Sequence, residues 1–430
     1  MKSRRGSFAV VAFGAVLALA ASAASAGGIA VVAPQDGATV PLLSPEMKSY
    51  LSMDFVARKS MFADAESRER MAKWGDKPLP VTLRWKGPDD TRYRLVVKRE
   101  PDGEVFFSGK TSKTEMSLRN LEIARTYSWR VEPESCGAGG AGGRFSTEGI
   151  APRLVGVDGI PNLRDLGGRI GLGGKRVRQG RIFRSGGLNR NANSYYTKEE
   201  VLEMIERNAL VESVPDMSKA AAQEILDRRK SGEKADYKHL VKDWHPGEER
   251  LNDSTRKYMR EKLGIRTDVD LRTGRECYGM TGSPLGEGVK WVNVPSSAYE
   301  GMGGDEDGRG KKAFSRVFKV FLDEANYPID FHCIAGADRT GSLAYILNAL
   351  LGVEEDELWK DWEVTAFQHA NEEFAVSRFE RLLAVFAGYP GGSAIERVEA
   401  YVKDQGFTDA DIARFRALML EQDLLQHSGK

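Results

Sequence analysis

Histidine and cysteine are scarce, and there is no excess of charge of either sign. The five histidines form no cluster with metal-ligand spacing, so neither a metal nor a cofactor is expected. Three cysteines, Cys136, Cys277 and Cys333, leave one over in any pairing. Lys and Arg number 63 against 62 Asp and Glu, a net charge of +1. That balance carries no electrostatic footprint for nucleic acid. Beyond the first 26 residues no segment is apolar for the ~20 residues that a bilayer crossing needs. What remains is globular: 41% hydrophobic and 29% charged residues do not describe a disordered chain. At 430 residues it is too long for one ordinary core and long enough for two domains.

The chain opens MKSRRGSFAVVAFGAVLALAASAASAGG. Lys2, Arg4 and Arg5 make a positive end, Phe8 to Ala21 an apolar run, and Ala24-Ser25-Ala26 a small-residue cleavage point. This pattern predicts a signal peptide over residues 1–26 and a secreted or periplasmic protein. The apolar run is short for an uncleaved anchor, and no cysteine follows it to carry a lipid. Export places the thiols where disulfides are permitted. Cys333 is the candidate for the free cysteine; Cys136 and Cys277 either pair or stand as separate thiols.

Residues 29–149 read as an all-β sandwich. Val81-Thr82-Leu83-Arg84-Trp85, Tyr93-Arg94-Leu95-Val96-Val97 and Thr126-Tyr127-Ser128-Trp129-Arg130-Val131 alternate in polarity, with turn residues such as Pro101-Asp102-Gly103 between strands. LRNLEIARTYSWRV and PVTLRW resemble strands of fibronectin type III domains. Between Pro45 and Lys77 a charged stretch with helical spacing interrupts the β pattern. The glycine run 137–143 reads as a loop or hinge.

From residue 150 to 430 short strands alternate with helices, the signature of an α/β core with a mostly parallel sheet. A charged helical insertion covers about 191–247. Within it, VESVPDMSKAAAQEILDRRKSG resembles a helix-hairpin-helix element, but Asp216 and Ser218 stand where glycines would approach a phosphate. No nucleic-acid partner is expected.

Residues 332–341, HCIAGADRTG, lie between a short strand and an apolar helix. Ile334, Ala335, Gly336 and Ala337 are small enough overall for the backbone to curl with its N–H groups inward, making an anion nest. The helix beginning near Arg339 adds the positive end of its dipole. Arg339 can fork two phosphate oxygens. Cys333 in that field becomes a thiolate nucleophile. Thr340 can donate to the sulfur.

Cys-x5-Arg-Thr is the signature of protein tyrosine phosphatases. IPNLRDLGG (160–168), RIFRSGGL (181–188), RLNDSTRKYMREKLGIRTDVDLRT (250–273) and HCIAGADRTG occur in this order, and together they resemble the atypical bacterial protein tyrosine phosphatases, a group with secreted mycobacterial members. The resemblance implies a cysteine-phosphatase fold working through a phosphocysteine, with Asp338 as general acid and then base. Asp305 and Asp307 are rivals for that role. Asn162, Arg164, Asp165, Arg184 and Arg272 are read as lining the pocket or, more often for such polar clusters, bracing its loops, and His332, next to the nucleophile, as holding its backbone. Members of the group usually carry lysine where this chain has Ala337.

The expected substrate is a phosphorylated protein or a small phosphate monoester, phosphotyrosine first and with dual specificity open. An inositol polyphosphate or phosphoinositide is the alternative. An inactive phosphate-binding or adhesion module is the reading of another class.

Overall fold

The computed structural model describes residues 28–134, 139–189, 198–210, 219–232, 251–274, 276–277, 280–305, 308–368 and 376–422. The expected signal peptide, Cys136, Asp216, Ser218, Asp307 and much of the 191–247 insertion lie outside the described residues.

The first strands are β1 (Ala30–Ala33), β2 (Ala38–Val40), β3 (Val81–Lys86), β4 (Tyr93–Glu100), β5 (Val105–Thr111), β6 (Glu115–Leu118), β7 (Thr126–Pro133) and β8 (Ala141–Thr147). They form a three-stranded sheet, β1-β3-β6, and a five-stranded sheet, β2-β8-β7-β4-β5. Alternation places Leu83, Trp85, Tyr93, Leu95, Trp129 and Val131 inside. The Trp85 ring meets Tyr93 at 5.5 Å and Trp129 at 6.5 Å, joining the two sheets through aromatic packing.

Three helices separate β2 from β3: α1 (Pro45–Ser52), α2 (Phe55–Ala63) and α3 (Ala65–Trp74). Each is capped by a side chain, Ser44, Asp54 and Asp64 respectively, which takes up an otherwise unpaired backbone N–H.

The remaining strands are β9 (Arg153–Leu154), β10 (Arg164–Asp165), β11 (Ile182–Ser185), β12 (Thr267–Asp270), β13 (Lys290–Asn293) and β14 (Ile329–His332). They build one six-stranded sheet, β13-β12-β14-β11-β10-β9. Its first four strands run parallel, and β10 and β9 close one edge antiparallel. The helices of this part are α4 (Lys198–Glu206), α5 (Lys219–Lys230), α6 (Asp253–Lys257), α7 (Lys311–Phe321), α8 (Asp338–Leu350), α9 (Glu355–Glu363), α10 (Val376–Ala387), α11 (Ala394–Asp404) and α12 (Asp409–Met419). Every residue of α8 from Thr340 to Leu350 is buried, so this helix is the core around which the others pack.

The chain divides into two compact units, and the division differs from the expected break at residue 149. Of the described residues, one unit comprises those up to Gly37 with Thr82–Met116 and those within Tyr127–Arg144; the other comprises Ala38–Val81, Ser117–Thr126 and those from Phe145 on. The reason is burial. Met47, Tyr50, Leu51, Phe62 and Met71 of α1–α3 belong to the same hydrophobic cluster as α8. Buried Arg58 of α2 pairs with buried Glu363 of α9 at 2.9 Å. Backbone oxygens of Asn120 and Leu121 accept from the Arg153 guanidinium. The charged 45–77 stretch is thus part of the unit that holds the Cys333 loop.

Candidate active site

Strand β14 ends at His332 and helix α8 starts at Asp338, so Cys333 to Ala337 make the turn between them. Gly336 sits at φ +71°, and a Cβ there would lie 2.5 Å from the Ser185 oxygen. Only glycine fits this point.

The scaffold engages every carbonyl of the turn. His332 Nδ1 lies 3.2 Å from the Cys333 oxygen, and Gly187 N donates to Ile334 O at 2.8 Å. Asn162 Nδ2 donates to Ala335 O at 3.1 Å and to Gly336 O at 3.0 Å, where Arg184 Nη2 joins at 2.6 Å. Gly341 N donates to Ala337 O at 2.8 Å. In a planar peptide the N–H points opposite to the C=O. Carbonyls drawn outward onto the scaffold therefore leave the amides facing the other way, toward the mouth of the loop.

Cys333 is buried. Burial, the largest single influence, pushes its thiol up, but the Arg339 charge and the hydroxyl and amide of Thr340 together outweigh it, and the thiol falls below its ordinary value. The Thr340 hydroxyl is buried without a nitrogen or oxygen partner, which leaves it for the sulfur. Arg339 is aimed by a residue the sequence reading did not single out. Its Nη1 and Nη2 donate to the two carboxylate oxygens of Glu276 at 2.7 and 2.9 Å. Thr273 fixes Glu276 in turn: its N donates at 2.6 Å and its hydroxyl at 3.0 Å. The signal was a Thr-x-x-Glu box beginning where the DVDLRT motif ends.

Asp338 is half-buried at the first position of α8, and its Oδ1 accepts from the Tyr299 hydroxyl at 2.6 Å. The Trp362 indole N–H donates to that hydroxyl at 3.3 Å, and Arg378 stands 4.0 Å from the carboxylate. Of the rivals, Asp305 is occupied at the start of α7, where it accepts from Lys312 N at 3.2 Å and pairs with Lys312 Nζ at 3.2 Å.

The supporting residues lie beneath the loop. Asn162, at φ +56°, is pinned by Asp76, which accepts its backbone N–H at 3.2 Å. Arg164, Arg169 and Arg184 converge on one carboxylate, Asp361. Burial and the neighbouring Arg184 push Arg164 down to about 9. Asp165 is turned away from the loop: it accepts from Arg153 at 2.8 Å and from the amides of Gly167 and Gly180. Arg272 is spent on Asp270, at 2.9 and 2.7 Å, and on Asn189. His332 is buried, with Nε2 2.9 Å from Asp268. Burial would lower its pKa, but Asp270 and Asp268 raise it to about 9, so it is an imidazolium at neutral pH and donates to the Cys333 carbonyl. Cys277 is a free thiol 3.3 Å from Asp270. Among the described residues no group of His, Cys, Asp and Glu is arranged to hold a metal ion, and no helix is long and apolar enough to cross a membrane.

A family profile described as the Tyrosine phosphatase family matches residues 155–205 and 247–421, more than half of the chain. The chain belongs to the tyrosine phosphatase family. The unmatched stretch between the two segments falls within the region read as an insertion. A Cupriavidus necator protein provisionally named a tyrosine-protein phosphatase is 30% identical over 201 residues, 47% of this chain. The chain spans 59% of that relative's length. Two solved structures also align. The core catalytic domain of the S. cerevisiae PP-IP phosphatase SIW14 has 17% identity and a TM-score of 0.25 over 40% of this chain and 88% of that one. A second Siw14 catalytic core has 18% identity and a TM-score of 0.24 over 30% and 74%. These two likenesses are too slight to carry an argument about this chain.

Proposed function

We propose that this chain is an exported cysteine-dependent phosphatase of the atypical bacterial branch, hydrolysing phosphate monoesters and phosphotyrosine foremost. One observation carries the reading: a thiol shifted toward its thiolate lies in a loop whose carbonyls are all engaged by the scaffold and whose arginine is fixed by Glu276. Cys333 attacks phosphorus, and the bond from phosphorus to the leaving oxygen breaks as Asp338 gives that oxygen its proton. Arg339 and the loop amides hold the non-bridging oxygens throughout. In the second step Asp338 takes a proton from water, which displaces sulfur from phosphorus and releases inorganic phosphate.

The Cupriavidus relative supports the phosphotyrosine class. So does Ala337, which is packed into the core and brings no cation to the loop, as multiply charged inositol phosphates would favour. For the first unit, the strand orders and the Trp85 cluster support a fibronectin III-like module that serves as spacer or binding element. Export rests on the N-terminal signal pattern; fractionation of the producing cell tests it, and retention in the cytoplasm would overturn it.

The test of activity is hydrolysis of para-nitrophenyl phosphate without added metal, with Cys333→Ser alongside. Turnover lost in the variant supports the thiolate mechanism; a folded, reduced wild type that does not turn over sinks it. Phosphotyrosine peptide, phosphoserine peptide and phytate compared side by side then test the substrate class, and faster release from phytate would replace phosphotyrosine.

A further inference from the structure

Tyr299 opens the short turn Tyr299–Gly303 in the loop that follows β13. Its φ is +52°, in the left-handed region that bulky side chains seldom enter. Residues held there gather at functional sites, and the surroundings must enforce the conformation. Two hydrogen bonds to α8 do so here. The Tyr299 backbone N–H donates to the Ser342 hydroxyl at 2.9 Å, and its phenol donates to Asp338 Oδ1 at 2.6 Å. Ser342 and Asp338 stand about one turn apart on α8. The tyrosine is thus fastened at both ends to the turn that carries the proposed general acid.

The phenol proton has one destination. The Trp362 indole N–H donates to the phenol oxygen at 3.3 Å, and an indole N–H cannot accept. Asp338 is the acceptor that remains. Burial and the Asp338 charge hold the Tyr299 phenol well above its ordinary value, so it keeps its proton at any working pH. Tyr299 is 4% exposed, whereas the Asp338 side chain is 30% exposed. Oδ1 is therefore tied to the core, and among the described residues no hydrogen bond reaches Oδ2. Arg378 stands 4.0 Å from Oδ1, beyond hydrogen-bond distance. On the reacting side, Asp338 is close enough to Cys333 for its charge to push against the thiolate.

We propose that Tyr299 is the positioning residue of the acid: by holding Oδ1 it leaves Oδ2 as the oxygen that carries the proton to and from the reacting group. The inference rests on the reading of Asp338 as general acid. With Oδ1 as the carbonyl oxygen of the protonated acid, the phenol bond keeps the proton on Oδ2. As that proton passes to the leaving oxygen, negative charge spreads onto Oδ1, and the bond from Tyr299 becomes charge-assisted and stronger. An interaction that strengthens as the reaction proceeds speeds the chemical step rather than tightening substrate binding.

The test is a double-mutant cycle on the full chain, read with two leaving groups. Tyr299→Phe is expected to lower kcat/KM for phenyl phosphate about 10- to 100-fold. For para-nitrophenyl phosphate, whose leaving oxygen needs little help from an acid, the fall is expected to stay below about threefold. Inhibition by vanadate, which probes the anion-binding loop alone, is expected to stay within about twofold of wild type. In the Asp338→Asn background, adding Tyr299→Phe is expected to cost phenyl phosphate turnover less than about threefold, because the acid it positions is gone. Losses that multiply in the double variant, or that are equal for the two substrates, would mean a merely structural role and overturn the proposal. Wild-type kcat/KM of Tyr299→Phe for phenyl phosphate would do the same. If Asp338→Asn itself leaves phenyl phosphate unslowed, it is the general-acid reading that falls, and the proposal with it. Ser342→Ala releases only the backbone end of Tyr299 and serves if Tyr299→Phe does not fold. It is expected to show the same leaving-group contrast at about 3- to 10-fold, and its absence would overturn the proposal.

Discussion

Glu276 holds Arg339 in a fork, its two carboxylate oxygens accepting from the two terminal guanidinium nitrogens at 2.7 and 2.9 Å. The pair joins the loop after β12 to the helix start after β14. The loops that follow these neighbouring parallel strands meet at the same end of the sheet. Arginine has a long, rotatable side chain, and fixing it before substrate arrives saves the entropy of ordering it later. Glu276→Gln keeps the shape but removes the charge and turns an N–H against the arginine. A hydrogen bond to a charged group contributes roughly 1.5–3 kcal/mol, so kcat/KM for para-nitrophenyl phosphate is expected to fall about 10- to 100-fold. Steady-state kinetics check this, and an unchanged kcat/KM would remove Glu276 from the site.

The electrostatics of Cys333 give a second prediction. Burial works against the thiolate, Arg339 works for it, and Thr340 adds to Arg339. Alkylation by iodoacetamide follows the thiolate, so the midpoint of its rate against pH is expected below the value of an ordinary thiol, ~8.5. Thr340→Val keeps the volume and removes the hydroxyl, and the midpoint moves up. Arg339→Met moves it up further because the larger favourable influence is lost. A Thr340→Val midpoint equal to wild type would show the hydroxyl does not serve the sulfur.

The choice of general acid is tested by leaving group. A positioned acid contributes roughly 10²–10⁴-fold where the leaving oxygen is basic and little where it is not. Asp338→Asn is therefore expected to slow phenyl phosphate strongly and para-nitrophenyl phosphate less. Asp305→Asn is expected to slow neither, since Asp305 is engaged with Lys312. The reverse pattern would move the role to Asp305.

Much of the site was legible because its chemistry is local. Cys333, Gly336, Asp338, Arg339 and Thr340 lie within eight consecutive residues, and their types announce an anion-binding turn. Asn162 and Arg184 were visible as motif residues, but that both end on the carbonyl of Gly336 was not. Those contacts exist only once the chain order of strands, β14 beside β11, has brought residues 150 or more positions apart together. Glu276 and Tyr299 were missed for the same reason: each is a common residue whose meaning comes from its partner, Arg339 or Asp338. The alternating β pattern and the apolar α8 were readable from period alone. The allegiance of α1–α3 was not, because an amphipathic helix does not say which apolar surface it covers.

That allegiance is itself testable. Arg58 of α2 is fully buried, and its partners are Glu363, Asp356 and the Met53 oxygen. Its removal leaves Glu363 buried without its cation, and breaking a buried pair in this way costs about 3–5 kcal/mol. Arg58→Ala is expected to lower the urea midpoint by a corresponding amount, with phosphatase activity lost in the same transition. A loss below about 1 kcal/mol would mean that α2 does not brace this unit.

The carboxylates and imidazole under the loop set how stability changes with pH. Asp330 is buried; burial pushes its pKa up to about 7, despite His332 nearby and the Ser185 hydroxyl at 2.9 Å. His332 is also raised, to about 9. A group whose pKa is higher folded than unfolded binds its proton more tightly in the native state, so its stabilisation is complete below the unfolded value and is lost as pH rises through the folded one. For Asp330 the loss runs from about pH 4 to 7, and for His332 from about pH 6.5 to 9. Both slopes have the same sign, so these two groups predict a thermal midpoint falling as pH rises from 6 to 9. Asp330→Asn imitates the protonated acid, and its stability is expected to exceed that of wild type most at pH 7 and above. Melting curves at pH 5, 7 and 9 decide the matter. A gap between Asp330→Asn and wild type that does not widen with pH would mean that Asp330 carries its charge in the folded protein at neutral pH, with His332 as its counter-ion.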